Sequence, residues 1–215
     1  MSGAPVCTAV TLKLVPGQEG AYREWLATKA TAETAPIYAR TGVTAKTVML
    51  AGPRIIAHYE ATRPGAVEEA YATPEAAAIM AGSLKGIVDE SVAPTVYPEV
   101  FAWQVPPPWP VERAGLLLNV QAGARERYLD WLTNRAVGQL AGIWERSEIN
   151  RHDVLMNGES VVAFYETKMR YYVLKAFRDP EALAILFSDL ATLLDLDPTM
   201  PMSLFEEAYH WRAGA

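Results

Sequence analysis

The sequence has 215 residues, of which 51% are hydrophobic and 20% charged, and these proportions describe a folded chain with a sizeable core. The net charge of −6 argues against nucleic acid as a partner, because phosphate binding needs a clustered positive field. A single cysteine, Cys7, excludes an internal disulfide and a metal site built from several cysteines. The first residues lack the pattern of a secretory signal and no apolar stretch is long enough to cross a bilayer, so we expect a cytoplasmic protein that binds no membrane.

The first half predicts strands and helices in the order β-α-β-β-α-β. Residues 8–15 alternate apolar and polar side chains, which indicates a half-buried strand, and a helix follows from residue 21 toward residue 39. Strand-like runs at 43–50 and 54–62 flank Ala51-Gly52-Pro53, which favours a tight hairpin. A second helical region starts at residue 67 and again after Thr73, which is followed by Pro74 in the manner of a capped helix start. Residues 96–105 supply the last strand.

The second half repeats the first at a constant offset of 106 residues. Tyr22, Trp25, Leu26 and Tyr59 recur as Tyr128, Trp131, Leu132 and Tyr165. The repeat predicts a strand at 116–120, a helix at 125–140, hairpin strands at 151–156 and 160–167, a helix capped by Asp179 and a strand at 203–211. Four prolines within 106–110 predict a stiff, extended spacer. We therefore expect an N-terminal repeat at 1–105, a Pro-rich linker at 106–113 and a C-terminal repeat at 114–215.

Each repeat has the order of a ferredoxin-like unit, an antiparallel sheet with helices on one face, so the predicted class is α+β. Strand residues such as Ile56, Phe101 and Val162 indicate that both faces of each sheet carry apolar groups. We therefore expect each repeat to form a four-stranded sheet and the two sheets to pack against each other. One chain would then be a pseudo-dimer, and the protein itself a monomer or a homodimer.

The three histidines, His58, His152 and His210, lie on predicted strands, and none has a histidine opposite it in the other half. The residues opposite them are Phe164, Lys46 and, after a two-residue shift, Ala102. Histidine is a natural general base near neutral pH, so the mismatch predicts one dominant pocket in which a histidine is the catalytic base. His58 is the first candidate because its neighbours predict burial. The alternative for each histidine is a partly exposed strand residue.

Aromatic side chains offer walls for a flat polycyclic ligand. The candidate substrate-binding residues are Trp25, Tyr38, Arg54, Tyr59, Trp103, Trp131, Trp144, Tyr165 and Tyr172. Core packing is the alternative for the aromatic residues that occur in both halves. Arg54 is included because a guanidinium can stabilise a phenolate or an enolate. The sequence has no phosphate-binding glycine loop, dinucleotide fingerprint or zinc motif, so no cofactor and no metal are expected.

The two Tyr-x-x-Trp-Leu helices, at Tyr22 and Tyr128, and the strand segments His58-Tyr59-Glu60 and Phe164-Tyr165-Glu166 carry a resemblance. The duplicated pattern resembles the dimeric α/β-barrel superfamily, which includes cofactor-independent antibiotic-biosynthesis monooxygenases and small aromatic-polyketide cyclases. It looks most like the SchA/CurD-like proteins of spore-pigment and aromatic-polyketide gene clusters.

This resemblance implies an oxygenase that needs no cofactor, uses molecular oxygen as co-substrate, and hydroxylates a polycyclic aromatic polyketide or oxidises an anthrone-like ring to a quinone. A polyketide cyclase or aromatase and a non-catalytic polyketide-binding protein are the alternatives. A haem-binding barrel fits less well, because three scattered histidines form no axial-ligand motif.

Overall fold

A computed structural model describes residues 5–195 and 203–214 of the chain. Residues 1–4, on which the expectation about a secretory signal partly rests, lie outside these ranges. The described residues form eight strands and eight α-helices in the order β1 (Val6–Lys13), α1 (Glu19–Thr28), α2 (Ala30–Thr41), β2 (Val43–Ala51), β3 (Arg54–Ala61), α3 (Ala66–Tyr71), α4 (Pro74–Ala81), β4 (Thr95–Gln104), β5 (Glu112–Asn119), α5 (Arg125–Asn134), α6 (Ala136–Arg146), β6 (Ile149–Asn157), β7 (Ser160–Thr167), α7 (Tyr172–Ala176), α8 (Pro180–Ser188) and β8 (Phe205–Arg212).

The fold is α+β, with two β-α-β-β-α-β repeats and antiparallel strands in the order β1-β3-β2-β8-β5-β7-β6-β4 of a closed barrel. The predicted fold class is therefore confirmed. Both hairpins are built alike, since β2 pairs with β3 through Ala51 and Arg54, and β6 pairs with β7 through Asn157 and Ser160. Gly52 and Gly158 turn these hairpins with φ of 55° and 58°, a conformation that favours glycine.

Two compact units divide the chain, and they do not coincide with the sequence repeats. Unit 1 extends to Val96 and resumes at Glu207, whereas unit 2 runs from Tyr97 to Glu206. In unit 2, strand β4 of the first repeat pairs with β6, so that Trp103 lies opposite His152. In unit 1, residues of β8 join the sheet of the first repeat, and Ala213 donates a backbone hydrogen bond to Thr44. The prediction that each repeat forms a four-stranded sheet from its own strands is therefore wrong for the final strand of each repeat. Strand β4 pairs with the second repeat, and β8 lies beside β2 of the first.

The predicted long helix of each repeat is two helices. Lys29 separates α1 from α2 and Arg135 separates α5 from α6, each with φ near −125° in place of a helical value. The break is braced by a tryptophan in both units: the Trp25 indole N–H donates to Glu33 over 3.0 Å, and that of Trp131 donates to Gln139 over 2.9 Å. These bonds hold consecutive helices together.

The predicted helix caps of α4 and α8 are confirmed. The Thr73 hydroxyl accepts a hydrogen bond from the Ala76 N–H, and the Asp179 carboxylate accepts one from the Glu181 N–H. Both caps satisfy amide groups that the first turn of a helix leaves without partners. They fix the start of two helices that bury little, because α4 has no fully buried residue and α8 only Ile185.

Each unit has its own apolar core between its sheet and its helices. In unit 1, Val10, Leu26 and Ile55 are among the buried residues, and in unit 2 Leu116 and Leu132 occupy the matching places. Unit 2 also buries a charged network in which Arg151 donates to Asp153 over 2.8 Å. No helix among the described residues has the length and apolar character to span a bilayer.

Candidate functional site

Among the described residues, each unit has an apolar pocket between its sheet and its helices, and the two pockets are related by the sequence repeat. The unit 1 pocket has a volume of about 120 Å³ and the unit 2 pocket about 80 Å³. Shared positions include Tyr22 and Tyr128, Trp25 and Trp131, and Tyr59 and Tyr165. The duplication has therefore kept a common aromatic wall, and any difference in chemistry must come from the positions that changed.

Lys46 is the charged residue of the unit 1 pocket. It lies on β2 with only 6% of its surface exposed, and its ammonium nitrogen is 5.6 Å from the ring centroid of Tyr38 and 5.5 Å from that of Tyr59. Within the described residues no carboxylate forms an ion pair with it. Rings at this distance stabilise a cation through their quadrupoles, but they supply no negative charge. Lys46 is thus a desolvated cation that faces a cavity.

Tyrosine hydroxyls surround this cation. The Tyr59 and Tyr71 hydroxyl oxygens are 2.8 Å apart and share a hydrogen bond, and Tyr22 and Tyr38 also line the pocket. Burial raises the pKa of Tyr71, although the charge of Lys46 opposes this shift. Burial lowers the pKa of Lys46 whereas the phenol oxygens of Tyr38 and Tyr71 raise it, and the net shift is upward. A raised pKa keeps Lys46 protonated, and hence charged, at physiological pH.

In the unit 2 pocket, His152 takes the place of Lys46. The imidazole stacks on Tyr165 with ring centroids 4.5 Å apart, and Trp144 contacts it edge-on at 5.2 Å. Burial lowers the pKa of His152 to about 4, an effect that the neighbouring charge of Asp153 only partly offsets. The imidazole is therefore neutral at pH 7, and its Nδ1 has no hydrogen-bond partner in the described part of the chain.

The other two histidines lie outside both pockets. His58 is buried on β3, but it alternates with the pocket residue Tyr59 and so points to the opposite face of the strand. The His210 Nδ1 is 3.0 Å from the hydroxyl of Thr47, a residue that also lines neither pocket. Of the three predicted bases, the structure brings only His152 to a cavity.

Six of the nine predicted substrate-binding residues line a pocket. Trp25, Tyr38 and Tyr59 line that of unit 1, and Trp131, Trp144 and Tyr165 line that of unit 2. The remaining three do not. Trp103 packs behind Trp144 with centroids 4.4 Å apart, Arg54 is exposed at the start of β3, and Tyr172 makes an edge contact with Tyr171.

Lys46 and Tyr71 were not predicted as site residues. A signal was present for each, because the repeat aligns Lys46 with His152 and Tyr71 with Phe177, so one copy is more polar than the other at both positions. Lys46 is also the one charged residue of strand β2. A lysine on a surface strand is common, however, and burial of its side chain follows only from the helices that cover the sheet.

The chain is similar to known proteins in its fold but matches no family in its sequence. No protein-family profile matches the chain, and no curated protein resembles it in sequence. Its structure resembles an inferred monooxygenase from Fusobacterium nucleatum, with a TM-score of 0.64 and 8% identity over 100% of this chain and 97% of the other. An anthrone oxidase-like protein matches with a TM-score of 0.63 and 14% identity, over 99% of this chain and 95% of the other. An inferred monooxygenase from Lactobacillus acidophilus matches with a TM-score of 0.60 and 10% identity, over 98% of this chain and 97% of the other.

The chain shares its fold with these three structures over nearly its full length. At identities of 8–14% the similarity shows a shared fold only, and no site residue can be assigned in this chain from these proteins.

Proposed function

We propose that the protein is a cofactor-independent oxygenase that takes an electron-rich aromatic substrate as its anion in the unit 1 pocket. The observation that supports this most is Lys46, a buried cation on an aromatic pocket wall that has no carboxylate partner in the described chain. Burying an unpaired charge is costly, and a ligand that brings a negative charge offsets that cost. A phenolate or enolate supplies both the charge and the flat ring that fits between the aromatic side chains.

Lys46 favours the ionised form of a bound phenol, since an opposite charge within a few ångströms lowers the pKa of an acid. Of the hydrogen-bonded Tyr59 and Tyr71 hydroxyls, the one that accepts from the other keeps its own hydrogen and can donate it to the same oxygen. The pocket therefore stabilises an anion without any need for a base, which fits the positions of His58 and His210 outside it. The substrate proton passes to solvent as the phenol ionises.

An anthrone-like anion is reactive toward dioxygen. It transfers an electron to O₂, and the resulting radical and superoxide combine at the ring carbon to give a hydroperoxide after proton uptake. Cleavage of the O–O bond with loss of the remaining hydrogen from that carbon yields a ketone and one water. The substrate loses two hydrogens and gains one oxygen atom, and each substrate consumes one O₂. Lys46 stabilises the negative charge throughout these steps.

The names of the structural neighbours agree with this chemistry, because they include monooxygenases and an anthrone oxidase-like protein. The resemblance to SchA/CurD-like proteins adds a substrate class, a polycyclic aromatic polyketide. The pocket of about 120 Å³ is smaller than the roughly 150 Å³ cavity that holds one benzene ring, so a polycyclic substrate requires the wall to move. Helix α4 is suited to this, since it contributes Ile79 and Met80 to the wall and has no fully buried residue.

The same anion-binding pocket would also suit a polyketide cyclase or a carrier of a reactive intermediate. In a cyclase, Lys46 would stabilise an enolate that attacks a carbonyl group, and no oxygen would be consumed. Oxygen uptake therefore separates the proposed function from both alternatives.

Oxygen consumption by the purified protein with dihydroxyanthrone tests the proposal, with the uncatalysed oxidation subtracted. The proposal predicts one O₂ consumed for each quinone formed, with no added flavin, nicotinamide or metal. Uptake no faster than the uncatalysed rate, or formation of a cyclised product without uptake, would contradict it.

A further inference from the structure

The unit 2 pocket carries a buried polar atom that the protein leaves without a partner. His152 is 7% exposed, it lines the cavity, and its Nδ1 makes no hydrogen bond within the described residues. A buried nitrogen without a hydrogen bond destabilises a fold by more than an ordinary hydrogen bond stabilises it, so such atoms are uncommon in folded proteins. The ring itself is held firmly, since it stacks on Tyr165 and is contacted edge-on by Trp144 and Phe101.

The walls of the unit 2 pocket are uncharged. The pocket is lined by aliphatic and aromatic side chains, and none of its lining residues is a lysine, arginine, aspartate or glutamate. Phe177 stands where unit 1 has Tyr71, so the Tyr165 hydroxyl lacks the bond that Tyr59 makes to Tyr71. Unit 2 thus shares the aromatic wall but lacks the cation of unit 1 and two of its phenols, since Trp144 and Phe177 stand where unit 1 has Tyr38 and Tyr71.

We propose that the unit 2 pocket is a second ligand site, selective for an uncharged hydroxyaromatic molecule whose hydroxyl group hydrogen-bonds to His152 Nδ1. It is separate from the unit 1 pocket and does not depend on the activity proposed there. The two pockets then differ in the charge of their ligand, an anion in unit 1 and a neutral phenol in unit 2.

A hydroxyl is the group that fits this nitrogen best. It donates to Nδ1 when the imidazole proton is on Nε2, and it accepts from Nδ1–H in the other tautomer. A carboxylate is disfavoured, because the pocket offers it no cation and would strip it of water. The volume of about 80 Å³ is smaller than the roughly 150 Å³ cavity that holds one benzene ring, so the pocket must widen to admit even a single-ring ligand. Burial keeps the pKa of His152 at about 4, which agrees with a neutral imidazole that meets a neutral ligand.

The test compares phenol, toluene and benzoate, which share one ring and differ in the attached group. Protein with ¹⁵N-labelled histidine is titrated at pH 7, and the ring nitrogen resonances of His152 report binding in unit 2 apart from any binding in unit 1. His152→Phe identifies these resonances by their loss. We expect phenol to shift the Nδ1 resonance and to bind about tenfold more tightly than toluene, the gain from one additional hydrogen bond. Benzoate should leave the resonance unchanged.

Two variants complete the test through calorimetric affinities, measured in a Lys46→Met background that removes the cation of unit 1. His152→Phe should abolish the advantage of phenol over toluene, and His152→Gln, which keeps a donor and an acceptor, should restore part of it. If His152→Phe does not fold, His152→Gln and the wild-type resonances carry the result. Equal affinity for phenol and toluene in the wild type, or a phenol advantage that survives His152→Phe, would overturn the proposal.

Discussion

Lys46 and His152 occupy the same position in the two repeats, 106 residues apart, and each lines an aromatic pocket. In unit 1 the side chain is a cation between two tyrosine rings, and in unit 2 it is a neutral imidazole stacked on one. The change at this position, together with that of Tyr71 to Phe177, makes the electrostatics of the two cavities different.

Replacement of Lys46 by methionine removes the charge and keeps most of the side-chain length. We expect turnover of dihydroxyanthrone to fall by about 10² to 10³-fold, the usual effect of losing one preorganised stabiliser of a developing negative charge. Initial rates of oxygen uptake measure the effect. Lys85→Met is the matched control, because Lys85 is exposed and lines neither pocket. A loss of similar size in both variants would assign the effect to net charge rather than to the pocket.

Tyr71→Phe converts a unit 1 position to the residue found in unit 2. The ring should pack as Phe177 does, so we expect the free energy of unfolding to fall by only about 1 kcal/mol, the value of the lost hydrogen bond to Tyr59. Turnover should fall about tenfold, because the hydroxyl that donates to the bound anion, or the one that orients it, is lost. Denaturant unfolding and oxygen uptake measure the two effects. Unchanged turnover would remove Tyr71 from the proposed mechanism.

Acid should destabilise the fold through His152. Its pKa is about 4 when folded against an ordinary value of 6.5, so the unfolded chain binds the proton first as the pH falls. The contribution of His152 to the free energy of unfolding is fully present above pH 6.5. It is lost progressively as the pH falls toward 4, by up to about 3 kcal/mol. Unfolding free energies from pH 8 to 4, compared with those of His152→Phe, isolate the contribution. Identical pH profiles for the two proteins would contradict the neutral, buried state of His152.

The buried ion pair of unit 2 gives a prediction about stability alone. Asp153→Thr leaves the guanidinium of Arg151 buried, with Glu166 at 3.9 Å as a weaker partner, and should cost about 3 kcal/mol. Adding Arg151→Ala should recover most of this loss, because Ala45 and Thr47 already occupy the matching positions in unit 1. Thermal unfolding of both variants checks this. A double variant no more stable than the single one would show that the charges act independently.

The sequence was sufficient to predict the repeat, the order of strands and helices, and the capped helix starts, because each of these depends on local patterns. The offset that joins Tyr59 to Tyr165 and the proline after Thr73 are examples. The exchange of final strands was not predictable in this way. The pairing of Trp103 with His152 joins segments from different repeats, and no local signal distinguishes it from pairing within one repeat.

The candidate site residues could be predicted only in part, because a pocket also depends on contacts between distant segments. Aromatic residues of the repeated helices and strands were identified, since duplication marks them. His58 was ranked first because its neighbours indicated burial, and it is buried, but burial does not say which face of a strand a pocket uses. Lys46 is informative only after the helices that cover it are in place, because a lysine becomes unusual through its burial and not through its identity.

The most direct test of Lys46 as an anion-binding group is the ionisation of a phenol bound in the unit 1 pocket. Nitrophenol absorbs differently as phenol and as phenolate, so an absorbance titration of protein with bound ligand yields its pKa in the site. We expect a pKa at least about one unit below that of free nitrophenol in the wild-type protein, because Lys46 favours the anion, and no decrease in Lys46→Met. A bound pKa equal to or above the free value in the wild type would contradict it.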